Sequence, residues 1–366
     1  MIDINALLKA MTDKKASDLH IRCGVVPVMR IDGTLYKVGQ VAVTMENMEA
    51  MLKTLMSKPN QYEKFQSDSE LDFAVGIPGV GRFRVNAFRQ RGTPSIAIRS
   101  IKFSVPHFTE LSLPGVILDI SMRKRGLILV TGTTGSGKST LLASMIDHIN
   151  TNTSVNIVTI EDPIEFLHKD KRSIIAQREI GTDTPSFTDA LRGSFRQDPD
   201  IILIGEMRDK ETIETAMSAA DTGHLVMSTL HTMNTVETIT RIISFFPPYQ
   251  HDQVRLVLSN VLVAIVSLRL LPRKDGQGRI PAVEILINNA AISEYILDQN
   301  KSHLISTAVK EGYTQYGSQS FDQSLLQLYR DDLITLETAK QSASNPDDFE
   351  LQVKGVSGTS DRGWMV

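Results

Sequence analysis

One cysteine, few aromatics, a small net charge and no long apolar run define this 366-residue sequence by what it lacks. A single thiol, Cys23, excludes an intramolecular disulfide and any tetracysteine zinc site, and it fits a reducing compartment. Aromatics are 6% and the formal charge is −3, a poor match to a surface that tracks nucleic acid by charge and stacking. No nucleic-acid partner is expected. The longest apolar stretch, Val261 to Leu271, is interrupted by Ser267 and Arg269 and is too short to span a bilayer. The first twenty residues carry acidic side chains and no apolar block, so no secretory leader is expected. A soluble protein with at most peripheral membrane contact follows. There is no internal repeat. Hydrophobic residues at 41% and charged residues at 22% are an ordinary globular balance, and the length suggests about two or three domains.

Against these absences stands one dense run: Gly132, Thr133, Thr134, Gly135, Ser136, Gly137, Lys138, Ser139 and Thr140. It fits G-x-x-x-x-G-K-S/T between the apolar Leu127–Val130 and a helix-like stretch to Ile149. Glycines let the backbone approach phosphates without a Cβ clash, and turn N–H groups and the helix dipole face the anion. Lys138 is expected to reach the β- and γ-phosphates of ATP, and Ser139 to hold Mg²⁺.

The rest of the chain sorts around that run. Residues 1–103 read as a small α+β domain. Helices are expected over Ile4–Met11 and Met45–Phe65, and strands near 19–22, 28–31, 71–75, 82–88 and 95–99, with Asp32-Gly33 as a hairpin turn. Residues 104–115, with Pro106 and Pro114, read as an interdomain linker. From 116 to 290 the pattern alternates strand and helix. Strands are expected at 126–130, 156–160, 201–204 and 225–228, and helices at 138–150, 186–196, 209–222 and 250–265. This is the signature of a mainly parallel sheet with helices on both faces, binding nucleotide at the carboxyl ends of its strands. Residues 291–353 read as a helical cap and 354–366 as a disordered tail.

Four clusters could carry chemistry. Glu161, Asp162 and Glu165 follow a strand near the phosphate cradle and suit Mg²⁺ or water positioning; solvated surface acids are the alternative. The strand Ile201–Ile204 ends in Gly205-Glu206, a Walker B element in which glycine stands where an aspartate often holds Mg²⁺. Glu206 is the first choice for activating water and Glu161 its rival. His224 and His231 bracket the strand Leu225–Leu230 and could sense the γ-phosphate or be hydrogen-bonded core. Arg82, Arg84, Arg91 and Arg99 could stabilise phosphate across a boundary or form a solvated strand face, and Arg208 is a further phosphate candidate.

The runs GTTGSGKST, IEDPIEF, QREIGTDTPSF, LRGSFRQDPDIILIGEMRD and TGHLVMSTLHT together resemble the type II/IV secretion ATPases, most of all the PilT-type retraction ATPases of type IV pili. The likeness runs from Ser17 to Ser324. It implies a PAS-like domain, a RecA-like ATPase domain and a homo-hexameric ring. The Walker A segment, an Asp box at Glu161–Glu165, Walker B and a His box at His224–His231 would surround ATP, and Arg84 and Arg99 would close on it. The implied setting is cytoplasmic, at the inner membrane under a pilus. The implied partners are a platform protein and a paralogous retraction or assembly ATPase. Domain closure driven by ATP would disassemble pilin. The missing tetracysteine motif favours the retraction branch. That branch carries an A-I-R-x-L-I-R-E motif where this sequence has Ala291-Ile-Ser-Glu-Tyr-Ile-Leu297. Ser293 replaces the arginine, which opens an accessory, PilU-like role.

Overall fold

Alternation of apolar and polar residues in the first hundred positions builds an antiparallel sheet, and buried runs after it build a parallel one. The computed structural model describes residues 2–31, 33–101 and 105–355. They fall into two compact units.

The first unit is Met1–Ser104 with Pro163–Leu167 and Glu179–Asp183. Its strands are β1 (Asp18–Arg22), β2 (Val28–Ile31), β3 (Thr34–Lys37), β4 (Glu70–Ile77), β5 (Gly81–Gln90) and β6 (Thr93–Ile101), in sheet order β3-β2-β1-β6-β5-β4. Every pairing is antiparallel. Helix α1 (Ile4–Asp13) begins at Asp3, whose carboxylate accepts from Asn5 N. It buries Ile4, Leu8 and Met11 in one core with Leu19, Phe83, Val85 and Ile98. In β5 Phe83 and Val85 point into that core while Arg82, Arg84 and Asn86 lie half-buried on the other face, as the alternation predicts. The helix expected over Met45–Phe65 is instead two, α2 (Met45–Leu55) and α3 (Gln61–Asp68). Between them Pro59 lacks a donor and Asn60 adopts a left-handed φ of 68°, neither compatible with a continuing helix. Asp32 of the expected hairpin turn lies outside the described residues, but Ile31 pairs with Thr34 across it.

The second unit is Val105–Asp162, His168–Arg178 and Thr184–Val366. Its seven strands are β7 (Gly126–Thr131), β8 (Asn156–Glu161), β9 (Ile174–Glu179), β10 (Ile201–Ile204), β11 (Leu225–Leu230), β12 (Leu262–Pro272) and β13 (Arg279–Ile287). The order is β13-β12-β7-β11-β10-β8-β9. From β12 to β8 all neighbours are parallel, and β13 closes antiparallel on β12. Every residue of β7, β10 and β11 is buried, as expected of a parallel sheet covered on both faces. Helices α4 (Val116–Ser121) and α5 (Lys138–Asn152) share a core with Ile128, Val130 and Met227. Helix α6 (Phe187–Ser194) packs on β8 and β10, α7 (Lys210–Asp221) on β7 and β11, and α8 (Thr235–Ser244) on β12 and β13.

The helix expected over 250–265 stops early. Helix α9 (His251–Val261) hands over to β12, because Leu262, Ala264, Ile265 and Val266 are buried on both faces between β7 and β13. An apolar run of that length fits either period, and burial decides it. The stretch read as a linker contains a 3-10 turn, Phe108–Leu111, whose Phe108 is buried with Ile117 and Ile120; Lys102–Ser104 lie outside the described residues. The C-terminal part is helical: α10 (Ala290–Leu297), α11 (Ile305–Glu311), α12 (Tyr313–Tyr316), α13 (Phe321–Arg330), α14 (Leu336–Ser342) and α15 (Pro346–Val353). Phe321, Leu325, Ile334 and Phe349 form its core with Leu271 and Ile280 of the sheet. Of the expected disordered tail, residues 356–366 lie outside the described residues.

Candidate functional site

The phosphate cradle begins where β7 stops. Gly132 has φ +137°, and a Cβ there would meet the Leu268 carbonyl at 2.5 Å and Ser136 Oγ at 2.6 Å. No L side chain fits that conformation or that space. Gly135 and Gly137 are left-handed at +78° and +101°, turning the chain so that α5 starts at Lys138. Thr133, Thr134 and Gly135 are exposed, while Ser139 and Thr140 lie half-buried on the first turn of α5. Lys138 is buried, and its Nζ donates to the carbonyls of Gly132 at 2.7 Å and Thr133 at 3.0 Å. Ser136 is also buried, and its Oγ has no partner among the described residues. A buried hydroxyl left unpaired is costly, so the cradle is shaped for a polar guest. Below it, the Thr131 and Ser267 hydroxyls meet at 2.7 Å and tie β7 to β12.

Beside β7 stand β11 and then β10, which bring the Walker B end to the same edge of the sheet. Gly205 N donates to Ile160 O at 2.7 Å, and Gly205 O accepts from Thr229 Oγ1 at 2.6 Å. A Cβ on Gly205 would lie 3.3 Å from Ile160 O and 3.4 Å from Glu161 Cα, so a side chain there would be tight against β8. Glu206, nearly buried, pairs through Oε1 with the Arg208 guanidinium, and His231 Nε2 lies 3.4 Å from its Oε2. Glu206, Arg208 and His231 thus form one cluster at the carboxyl ends of β10 and β11.

Two expectations need correction. The acidic segment after β8 is not beside the P-loop strand, since β11 and β10 stand between β7 and β8. Glu161 is half-buried and accepts from Thr159 Oγ1 at 2.6 Å and Gln177 Nε2 at 3.1 Å; Asp162 is exposed, and Glu165, also exposed, belongs to the first unit. His224 does not share the mouth with His231. It precedes β11, its carbonyl accepts from Gly126 N at 3.0 Å, its Nδ1 lies 3.0 Å from Ala219 O, and its ring packs on Phe195. The six-residue strand sets it roughly 20 Å from the nucleotide edge. Of the arginines singled out in the first unit, three pair within it. Arg82 pairs with buried Glu179 at 3.0 Å, Arg84 pairs with Asp72, and Arg99 pairs with Asp18 at 3.1 Å.

Sequence reasoning missed several polar residues. Gln177 sat inside a recognised run, but β9 was not read as a strand, so its partner was invisible. His168 is half-buried, its buried Nδ1 has no partner among the described residues, and desolvation pushes its pKa down to about 4. Glu284 is half-buried; desolvation raises its pKa, and its Oε1 accepts from Thr235 N at 2.7 Å. Among the described residues no helix is long and apolar enough to cross a membrane.

The chain is similar to known proteins over nearly its whole length. The family described as type II/IV secretion system protein matches residues 1–311. The type IV pilus retraction ATPase PilT of Pseudomonas aeruginosa is 41% identical over 348 residues, 95% of this chain and 100% of the relative. The type IV pilus ATPase PilU of the same organism is 39% identical over 353 residues, 96% of this chain and 92% of the relative. A crystal structure of the pilus retraction motor PilT with bound ADP superposes with a TM-score of 0.88 at 45% identity, covering 96% of this chain and 99% of that one. These matches agree with the P-loop cradle and the carboxylates at the sheet edge: the chain belongs to the type II/IV secretion system protein family, and it is an ATPase.

Proposed function

We propose that this ATPase is a motor of a type IV pilus, working as a homo-hexamer at the cytoplasmic side of the inner membrane, and that it powers retraction. The supporting observation is the joining of the Gly132–Thr140 cradle to the Glu206–Arg208–His231 cluster at one edge of one sheet. PilT and PilU relatives at about equal identity support a role in pilus mechanics. In this reading Lys138 exchanges its two carbonyl partners for the β- and γ-phosphates of ATP. The amides at the start of α5 and the Ser136 hydroxyl bind phosphate oxygens. The first-turn position of Ser139 fits a ligand of Mg²⁺, with Glu161 and Glu206 reaching it through water. When bound, the ion neutralises charge developing on the phosphates. Glu206 orients the attacking water, and His231 and Arg208 fix its carboxylate. Arg84 and Arg99 close on the nucleotide when the domains move, and that closure works on a platform protein in the membrane.

Purified protein tests the site. Lys138→Ala is expected to weaken ATP binding at least tenfold and abolish turnover. Glu206→Gln should keep ATP affinity within about threefold while lowering kcat about 100-fold or more. Wild-type turnover in both variants overturns the assignment.

A second reading, an accessory ring partner of another retraction ATPase, is favoured by Ser293. Its hydroxyl is turned inward, 3.1 Å from both Ser259 O and Asn288 Oδ1 and able to donate to either, where the resemblance calls for an arginine. Expression of this chain alone in cells lacking every pilus retraction ATPase decides between them. Restored twitching supports the stand-alone motor, and restoration only alongside a second ATPase supports the partner.

A further inference from the structure

Glu161 ends β8 and Gln177 lies on β9, its neighbour in the sheet. Gln177 Nε2 donates to Glu161 Oε1 at 3.1 Å, and Gln177 Oε1 accepts from the backbone N–H of His168 at 2.9 Å. A backbone N–H can only donate, so it fixes which way the carboxamide points: oxygen to His168, NH₂ to the carboxylate. Thr159, two residues before Glu161 on the same side of β8, donates to that same Oε1 at 2.6 Å. Two donors on one oxygen set the carboxylate's position and plane. Both of these donors are neutral.

We propose that Gln177 is a positioning residue for ATP hydrolysis: clamped by His168 N–H, it holds the Glu161 carboxylate in the orientation needed to align Mg²⁺-linked water. This rests on the role given to Glu161 above. Partners that orient a ligating or water-binding group typically cost about 10–100-fold when removed. They do so without weakening substrate binding when the bulk of that binding is made elsewhere, here by the P-loop.

The test uses the full-length protein with Gln177→Met, Gln177→Glu, Glu161→Gln and the Gln177→Met/Glu161→Gln pair. Four quantities are read: kcat, affinity for a non-hydrolysed ATP analogue with Mg²⁺, melting temperature, and the pH profile of kcat. Gln177→Met should lower kcat about 10–100-fold while analogue affinity stays within about threefold and melting within a few degrees. Gln177→Glu keeps the acceptor for His168 but faces Glu161 with a second carboxylate. The acid limb of its pH profile should move to higher pH, because like charges resist joint ionisation. In single-turnover measurements, adding Gln177→Met to Glu161→Gln should cost nothing further if Gln177 acts only through Glu161. Positioning is overturned if Gln177→Met keeps kcat within threefold of wild type, lowers affinity instead, or costs as much in the Glu161→Gln background. Full turnover in Glu161→Gln strikes the role of Glu161 itself, and the positioning with it. A dead Glu161→Gln beside an unaffected Gln177→Met strikes positioning alone.

Discussion

The half-buried imidazole of His168 makes this protein's stability depend on pH below neutrality. Burial lowers the His168 pKa from 6.5 to about 4 and leaves Nδ1 without a hydrogen-bond partner. Between those values the unfolded chain binds the proton and the folded one does not, so stability rises with pH there. The contribution is complete above pH 6.5 and is lost as pH falls through 4. At pH 5 the loss is about 2 kcal/mol relative to pH 7, by the linkage relation. His168→Leu removes both the titrating group and the unpaired nitrogen. Its urea-unfolding free energy should change less between pH 7 and pH 5 than that of wild type, by about that 2 kcal/mol; equal slopes would exclude His168 as the source. The backbone N–H that clamps Gln177 survives this change, so ATP turnover at neutral pH should persist. Nothing in the sequence distinguishes His168 from His224 or His231, because burial of a lone histidine is a tertiary property. Lys138 and Ser139 are the opposite case. Their spacing within one turn dictates their place, and they were legible at once.

At the scale of the element, legibility follows how local the cause is. Strands β7, β10 and β11 were read closely because parallel burial writes continuous apolar runs. The mouth of the site was only half read. Sequence says that histidines bracket β11, but only the strand's direction says that His231 is at the nucleotide edge and His224 at the far one. Sheet order likewise sets Glu161 three positions from β7, which no spacing along the chain reveals. Helix α8 was missed although Asn234 stands before a run with Val236, Ile239, Ile242 and Ile243 on helical spacing. Its N-terminus holds a long-range device. Asn234 Oδ1 accepts from Glu237 N at 2.8 Å, and Glu284, from β13, accepts from Thr235 N at 2.7 Å. Burial raises the Glu284 carboxyl above its usual range, against the pull of Thr235 and Arg269. A carboxyl raised in the folded state stabilises below its unfolded pKa and loses that contribution as pH rises through the folded value. Glu284→Gln keeps the acceptor for Thr235 and removes the titration, so its stability relative to wild type should improve as pH rises from about 4 to neutrality. Glu284→Ala leaves the helix donor unpaired and should cost about 1–3 kcal/mol at any pH in that window. Thermal melts of the two variants against pH separate the lost acceptor from the lost charge.

At the scale of the whole molecule, the motor proposal requires that residues of one unit act on a nucleotide bound by the other. Arg84 and Arg99 are the residues asked to do so. Within their own unit they pair with Asp72 and Asp18; Arg99 is well exposed, and the half-buried Arg84 meets Asp72 at the solvent-facing side of the sheet. Exposed pairs of this kind contribute only about 0–1 kcal/mol each, so removing either arginine should barely change the folding of its unit. Catalysis is a different matter. An arginine that meets a transferring phosphoryl group adds about 10³–10⁵ in rate where its contribution has been isolated, and even a partial role exceeds tenfold. Arg84→Ala and Arg99→Ala should therefore melt within a few degrees of wild type yet lose at least tenfold in steady-state ATP turnover. Lysine at either position should restore charge but not the planar two-pronged contact, and so recover only part of the rate. Asp72→Asn and Asp18→Asn serve as controls, because they release the same arginines from their home pairs and should leave turnover intact or raise it. Wild-type turnover in both alanine variants would confine these arginines to their own sheet, and closure would then need another cation to reach the phosphate.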